Sequence, residues 1–111
     1  MKPYLKIYID FFDYKIPSDV TSEISGQRAV DVHHIEARGM GGSKSKDNIL
    51  NLIGLTRDEH NKAESGEHSK DFLRIIHYRF ILNNAQDAYK LSDEDLIKLN
   101  RFLMNKHKLN L

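Results

Sequence analysis

Cysteine is absent from all 111 residues, which excludes a disulfide framework and any thiolate metal site. A bound metal must therefore rest on His, Asp, Glu or Asn. Long apolar runs are missing as well: no stretch approaches the roughly 18 consecutive apolar residues that mark a membrane span, so a soluble protein without a membrane partner is expected. The start, MKPYLKIYIDFF, is interrupted by Lys6 and Asp10 and shows no small-residue cleavage site, so export is not expected and a cytoplasmic location is. Net charge is nearly absent too. Seventeen basic and sixteen acidic residues leave a formal +1, which does not by itself demand a polyanionic partner.

What remains is ordinary globular composition, 40% hydrophobic and 30% charged, at a length that fits one domain over residues 1–111. No repeat or low-complexity segment interrupts it. Positive charge is clustered locally. No acid follows Asp95, while Lys98, Arg101, Lys106 and Lys108 do, and a glycine loop carries Lys44 and Lys46 with Arg38 just before it. A solvated charged face and a phosphate-binding surface both fit that clustering.

The pattern predicts an α+β chain. Residues 4–12 alternate as a strand, with Leu5, Ile7, Ile9 and Phe11 on one side, ended by Pro17. Residues 18–28 are turn-rich and lead into AVDVHHI, a short strand in which Val30 and Val32 flank Asp31. Residues 36–48 form a loop with three of the six glycines, and a second short strand, Leu50 to Leu55, follows. Thr56 with Glu59 three positions on has capping-box spacing, so a helix begins near Arg57 and carries His60; these two residues are read as a cap rather than a site. Phe72, Ile75, Ile76, Phe80 and Leu82 give a largely buried helix, and Ser92-Asp93-Glu94-Asp95 announces a last one with Leu96, Leu99 and Leu103 on one face. The strand–loop–strand–helix unit of residues 29–64 is too small to stand alone, so the flanking segments must support it.

The chemistry concentrates in that unit. Successive strand side chains point to opposite faces, so the adjacent His33 and His34 do not easily share one metal. They can divide labour instead, one facing a cation and the other the space for substrate and attacking water. Partners for a metal-facing His33 are His60 and, one helical turn later, Glu64, with His68 as an alternative third ligand. Imidazoles suit zinc or nickel, and a carboxylate with waters also suits magnesium or manganese, so the ion stays open. An unliganded His34 has the ordinary imidazole range of a general base near neutral pH. Asp31 is expected to face solvent, and His77 and His107 to be structural or surface residues.

With VDVHHI, RGMGG, DNILNLIGLT and RDEHNKAE in this order, the stretch from Ala29 to about Glu64 resembles the HNH nucleases, the ββα-metal or His-Me finger endonucleases. The resemblance implies a ββα-metal core with an N-terminal strand and C-terminal helices. It implies that His33 and His60 with Glu64 hold a divalent metal (Mg, Mn, Zn or Ni), that His34 is the general base, and that DNA is the partner. It also implies an asparagine that braces the loop so that a backbone carbonyl orients the base. Asn51, nine residues before His60, matches that interval better than Asn48, which is left as a turn residue. Arg38, Arg57 and Lys44 are the candidate phosphate contacts. Many relatives carry a structural zinc on two Cys-x-x-Cys pairs; Ser22 and Ser25, and Thr56 and Glu59, stand at those places here. Packing by the Phe72–Leu82 helix is expected to replace that knuckle. The function implied is a metal-dependent endonuclease from a phage, a mobile element or a restriction system. The alternatives are a non-catalytic DNA- or metal-binding module on the same fold, and a small partner-binding protein with its histidines in the core.

Overall fold

The computed structural model describes residues 1–39, 41–42 and 44–109, with side chains to residue 106, so the expectation for His107 lies outside the described side chains. Among the described residues the chain is an α+β domain of five helices and one two-stranded antiparallel sheet. No helix among them is long and apolar enough to cross a membrane.

The first element corrects the strand expected at residues 4–12: Pro3–Phe11 is a helix, α1. Proline stands in its first turn, where the missing N–H costs nothing. Leu5, Tyr8, Ile9 and Phe12, at helical spacing, pack into the core, whereas Ile7, placed on the apolar side of the strand reading, is exposed. Lys6 and Asp10 pair across one turn at 2.9 Å. A short apolar run fits both periods, and here tertiary packing selected the helical one.

Strand β1 (Asp31–His34) pairs with β2 (Leu52–Leu55) in the register Asp31↔Leu55, Val32↔Gly54, His33↔Ile53 and His34↔Leu52. Both are shorter than expected. Val30 lies before the first strand and is exposed, and Leu50 belongs to a 3-10 turn, Ile49–Asn51, that precedes the second. One face of the sheet carries Val32 and Leu52 against Tyr8, Ile9 and Val20, which is the α1 side. The other carries Ile53 and Leu55 against Ile35 and Leu73. Gly54 lies under α1; a Cβ there would stand 3.0 Å from the Thr21 carbonyl and 3.1 Å from the Tyr8 hydroxyl, so a side chain would push these neighbours back by a few tenths of an ångström.

Helix α2 (Arg57–Ser65) starts on the capping box foreseen from Thr56 and Glu59 and stops at Gly66, whose φ of 85° is the left-handed cap that glycine adopts without strain. Helix α3 (Lys70–Leu82) buries Leu73, His77, Tyr78 and Ile81. Its buried stripe is thus rotated from the one read in the sequence, because Phe72 and Leu82 remain exposed at its margins. A short α4 (Ala85–Tyr89), not foreseen, leads into α5 (Asp93–Leu109), whose Leu99 packs against Leu50, Tyr78 and Ile81.

Two polar connections join these layers. The Tyr8 hydroxyl donates to Glu23 at 2.6 Å and accepts from the Gly54 amide at 3.2 Å, while His77 Nδ1 lies 2.8 Å from the Glu23 carboxylate and its Nε2 donates to the Ile49 carbonyl. Burial, followed by the nearby Glu23 charge, pushes the Tyr8 phenol well above its ordinary value. The second connection joins Ser22, Thr56 and Glu59, positions where the resemblance would place zinc cysteines. Ser22 Oγ donates to Glu59 at 2.6 Å and accepts from the amides of Ile24 and Ser25, and Glu59 accepts from the Thr56 amide at 2.8 Å. Packing from Leu73 and Ile76 of α3 closes over this side, so hydrogen bonds and packing together hold a region expected to rest on packing alone.

Candidate metal centre and active site

Strand alternation sends Asp31 and His33 toward α2 and His34 toward α1. The rings show it directly. His33 meets His60 of α2 with centroids 4.9 Å apart, and His34 meets Tyr4 of α1 edge-on at 4.6 Å. Both histidines nevertheless line one cleft of about 630 Å³ at the end of β1, together with Arg38, His60, Glu64 and Lys70.

On the α2 side, His60 Nε2 is 3.1 Å from a Glu64 carboxylate oxygen, and His33 Nδ1 is 3.8 Å from the same oxygen. One ligand atom from each of His33, His60 and Glu64 lies within 4.8 Å of the other two. Bonds of about 2.1 Å in a tetrahedral site give edges of about 3.4 Å, so these three residues fit a cation with small side-chain adjustments. Burial, followed by the neighbouring His60, holds His33 below the ordinary imidazole range, which keeps its lone pair available near neutral pH.

Asp31 corrects its expected solvent role. Its Oδ2 lies 2.8 Å from His60 Nδ1 and 3.1 Å from Arg57 Nη1. A carboxylate behind a ring nitrogen fixes the tautomer and directs the other nitrogen at a cation. With Nδ1–H donated to Asp31, His60 Nε2 and the Glu64 oxygen are two electron-pair donors face to face, a contact satisfied by a second ring proton or by a shared cation. Arg57 meets this site through Asp31.

On the other side of the strand, His34 Nε2 is 2.7 Å from Asp47 Oδ1, and Arg38 Nε is 3.2 Å from the same oxygen. A carboxylate thus orients the ring, where a backbone carbonyl was expected. His34 Nδ1 has no hydrogen-bond partner among the described residues. Arg38 also donates to the Gly42 carbonyl at 2.9 Å, tying the glycine loop to the cleft, and Lys44 lies exposed on the adjoining surface with Tyr4 and Asp47.

Asn51 is buried and braces that loop. Its Oδ1 accepts from the Glu36 amide at 2.7 Å, and its Nδ2 donates to the carbonyls of Glu36 and Lys46, each at 2.9 Å. One side chain therefore joins the two ends of the loop. Asn48 caps the turn that follows, accepting from Leu50, as a turn residue does. His68 lines the cleft but stacks on Phe72 at 4.9 Å and stands outside the three-residue cluster, so Glu64 is the third member.

Sequence reading missed Asp31 as a partner of His60, Asp47 as a partner of His34, and Tyr4. Asp31 was findable, since it lies two residues before His33 on the same strand face; Asp47 was not, because nothing in loop spacing indicates where a side chain folds back. No family model, no curated protein and no solved structure matches this chain.

Proposed function

We propose that the chain is a metal-dependent endonuclease of the HNH type that hydrolyses phosphodiester bonds in DNA, with β1, β2 and α2 as its ββα-metal core. One observation carries the reading: adjacent histidines of one strand are divided between a His–His–Glu cluster and a carboxylate-paired imidazole, and both open into one cleft.

His33, His60 and Glu64 are the residues that would hold the divalent cation, and Asp31 directs the His60 ring toward it. Bound there, a divalent ion supplies Lewis-acid stabilisation of charge on the phosphate and the leaving oxygen. His34 accepts a proton from the attacking water through Nδ1, and Asp47 on Nε2 holds the ring and stabilises the imidazolium as it forms. Asn51 keeps the loop, and so Asp47 and Arg38, in register with the strand. Arg38 and Lys44 add positive charge where the phosphodiester enters.

The test is nicking of supercoiled plasmid by purified protein with Mg, Mn, Ni or Zn ions added. Wild type should nick, and His34→Ala should abolish nicking while a metal-induced rise in melting temperature persists. A gel shift of DNA without cleavage under every ion would favour a binding module on the same fold. Undiminished cleavage by His34→Ala would exclude this histidine as the base.

A further inference from the structure

The geometry points to a second nucleic-acid contact site, a groove between the glycine loop and helices α3 and α5 that seats a backbone phosphate of the strand engaged at the histidine cleft. The groove measures about 440 Å³, and its lining includes Glu36, Lys46, Arg74, Tyr78, Lys98 and Phe102. It rests on the nuclease reading only for the identity of that strand.

Its floor carries a side chain with no structural task for its polar end. Tyr78 is 4% exposed and packs edge-on against Phe102 with centroids 5.3 Å apart. Its hydroxyl has no hydrogen-bond partner among the described residues, yet no fully buried polar atom there is left unsatisfied, so the hydroxyl opens into the groove it lines. Burial raises this phenol above its ordinary value, keeping it a neutral donor. Buried tyrosines ordinarily pair their hydroxyls.

Charge above that floor is net positive, with Lys46, Arg74 and Lys98 against the one lining acid Glu36. Neither Lys46 nor Lys98 has an ion-pair partner among the described residues, in contrast to Arg74, which holds Glu36 at 2.9 Å and Asp71 at 3.1 Å. The acids nearby are Glu36, held by Arg74 and Lys70 and also felt by the Lys46 charge, Asp95, whose charge reaches Tyr78, and Glu94, one helical turn before Lys98. Two ammonium groups beside a hydroxyl donor suit a phosphate, and an aromatic wall suits the nucleoside attached to it.

Position links the groove to the cleft. Lys70 lines the histidine cleft, Arg74 lines the groove, and both grip the Glu36 carboxylate between them. Asn51 lines the groove as well, so the residue that braces the active loop also forms the wall of the second site.

The probe is a fluorescently labelled DNA oligonucleotide followed by anisotropy in EDTA across a salt series, which separates binding from cleavage. Lys46→Ala/Lys98→Ala should weaken binding about tenfold and lower the slope of log affinity against log salt by about two. Tyr78→Phe should weaken binding a few-fold with the slope unchanged. The control is Lys15→Ala/Arg28→Ala, which removes equal charge from exposed positions lining neither site. Equal losses in the two double variants, no loss in the groove variant, or no binding by wild type would each overturn the groove. Oligonucleotide binding that depends on Lys46 and Lys98 while plasmid nicking is absent under all ions would overturn the nuclease reading and leave the groove standing.

Discussion

Asp31 Oδ2 lies 2.8 Å from His60 Nδ1, so a carboxylate on the first strand orients a ring on the second helix across 29 residues of chain. That contact makes Asp31 part of any metal centre built on His60, although it touches no cation itself. Asp31→Ala should weaken binding of Mn or Zn ions by about 10–100-fold, measured by isothermal titration calorimetry. Unchanged affinity would mean that packing of α2 alone aims the ring.

Asn51 gives a different signature. Asn51→Ala removes three hydrogen bonds that join the ends of the glycine loop, and each buried backbone group left unpaired costs about 1–3 kcal/mol. Hydrogen exchange of residues 36–48 should accelerate and nicking should fall, while metal affinity, which rests on β1 and α2, is retained. Loss of metal affinity in step with nicking would contradict that separation.

The buried Glu23–His77 pair predicts a large stability effect at a distance from the cleft. Both side chains are fully buried. His77→Ala leaves the buried Glu23 carboxylate with only the Tyr8 hydroxyl and should cost about 3–5 kcal/mol in urea denaturation. A Glu23→Ala/His77→Ala double variant should cost less than the sum of its parts, because the two groups serve each other. Additive losses would show that the residues act independently.

Glu59 sets an acid limit on stability. Burial works to raise its carboxyl, but hydrogen bonds from Ser22 and Thr56 outweigh this and hold it below the ordinary glutamate value. A carboxyl depressed in the folded state contributes stability that is fully present above its unfolded value and fades as pH falls through the folded one. Ser22→Ala should therefore cost about 1.5–3 kcal/mol at neutral pH, and the gap to wild type should narrow as pH drops below 4.5, the ordinary value. A gap constant with pH would remove Glu59 ionisation from the account.

The capping box, α3, α5 and the opposed histidines were legible because each rests on local chemistry or on a fixed period. The Thr56–Glu59 spacing names the start of α2, and strand alternation alone separates His33 from His34. Helix α1 was misread because Leu5, Ile7, Ile9 and Phe11 satisfy a strand period, and only the long-range burial of Tyr8 against β2 and Glu23 favours the helix. Asp47 was invisible for a related reason: its place beside His34 depends on how a 13-residue separation closes, which composition does not encode. The hydrogen-bonded Ser22–Glu59 contact lies between, since the resemblance singles out both positions but not their bond to each other.

The division of labour between His33 and His34 is tested most directly by where a cation settles. Anomalous diffraction from a crystal soaked in manganese should place the ion against His33, His60 and Glu64, with the His34 ring still on Asp47. An ion shared by His33 and His34, or one bound away from both His33 and His60, would contradict it.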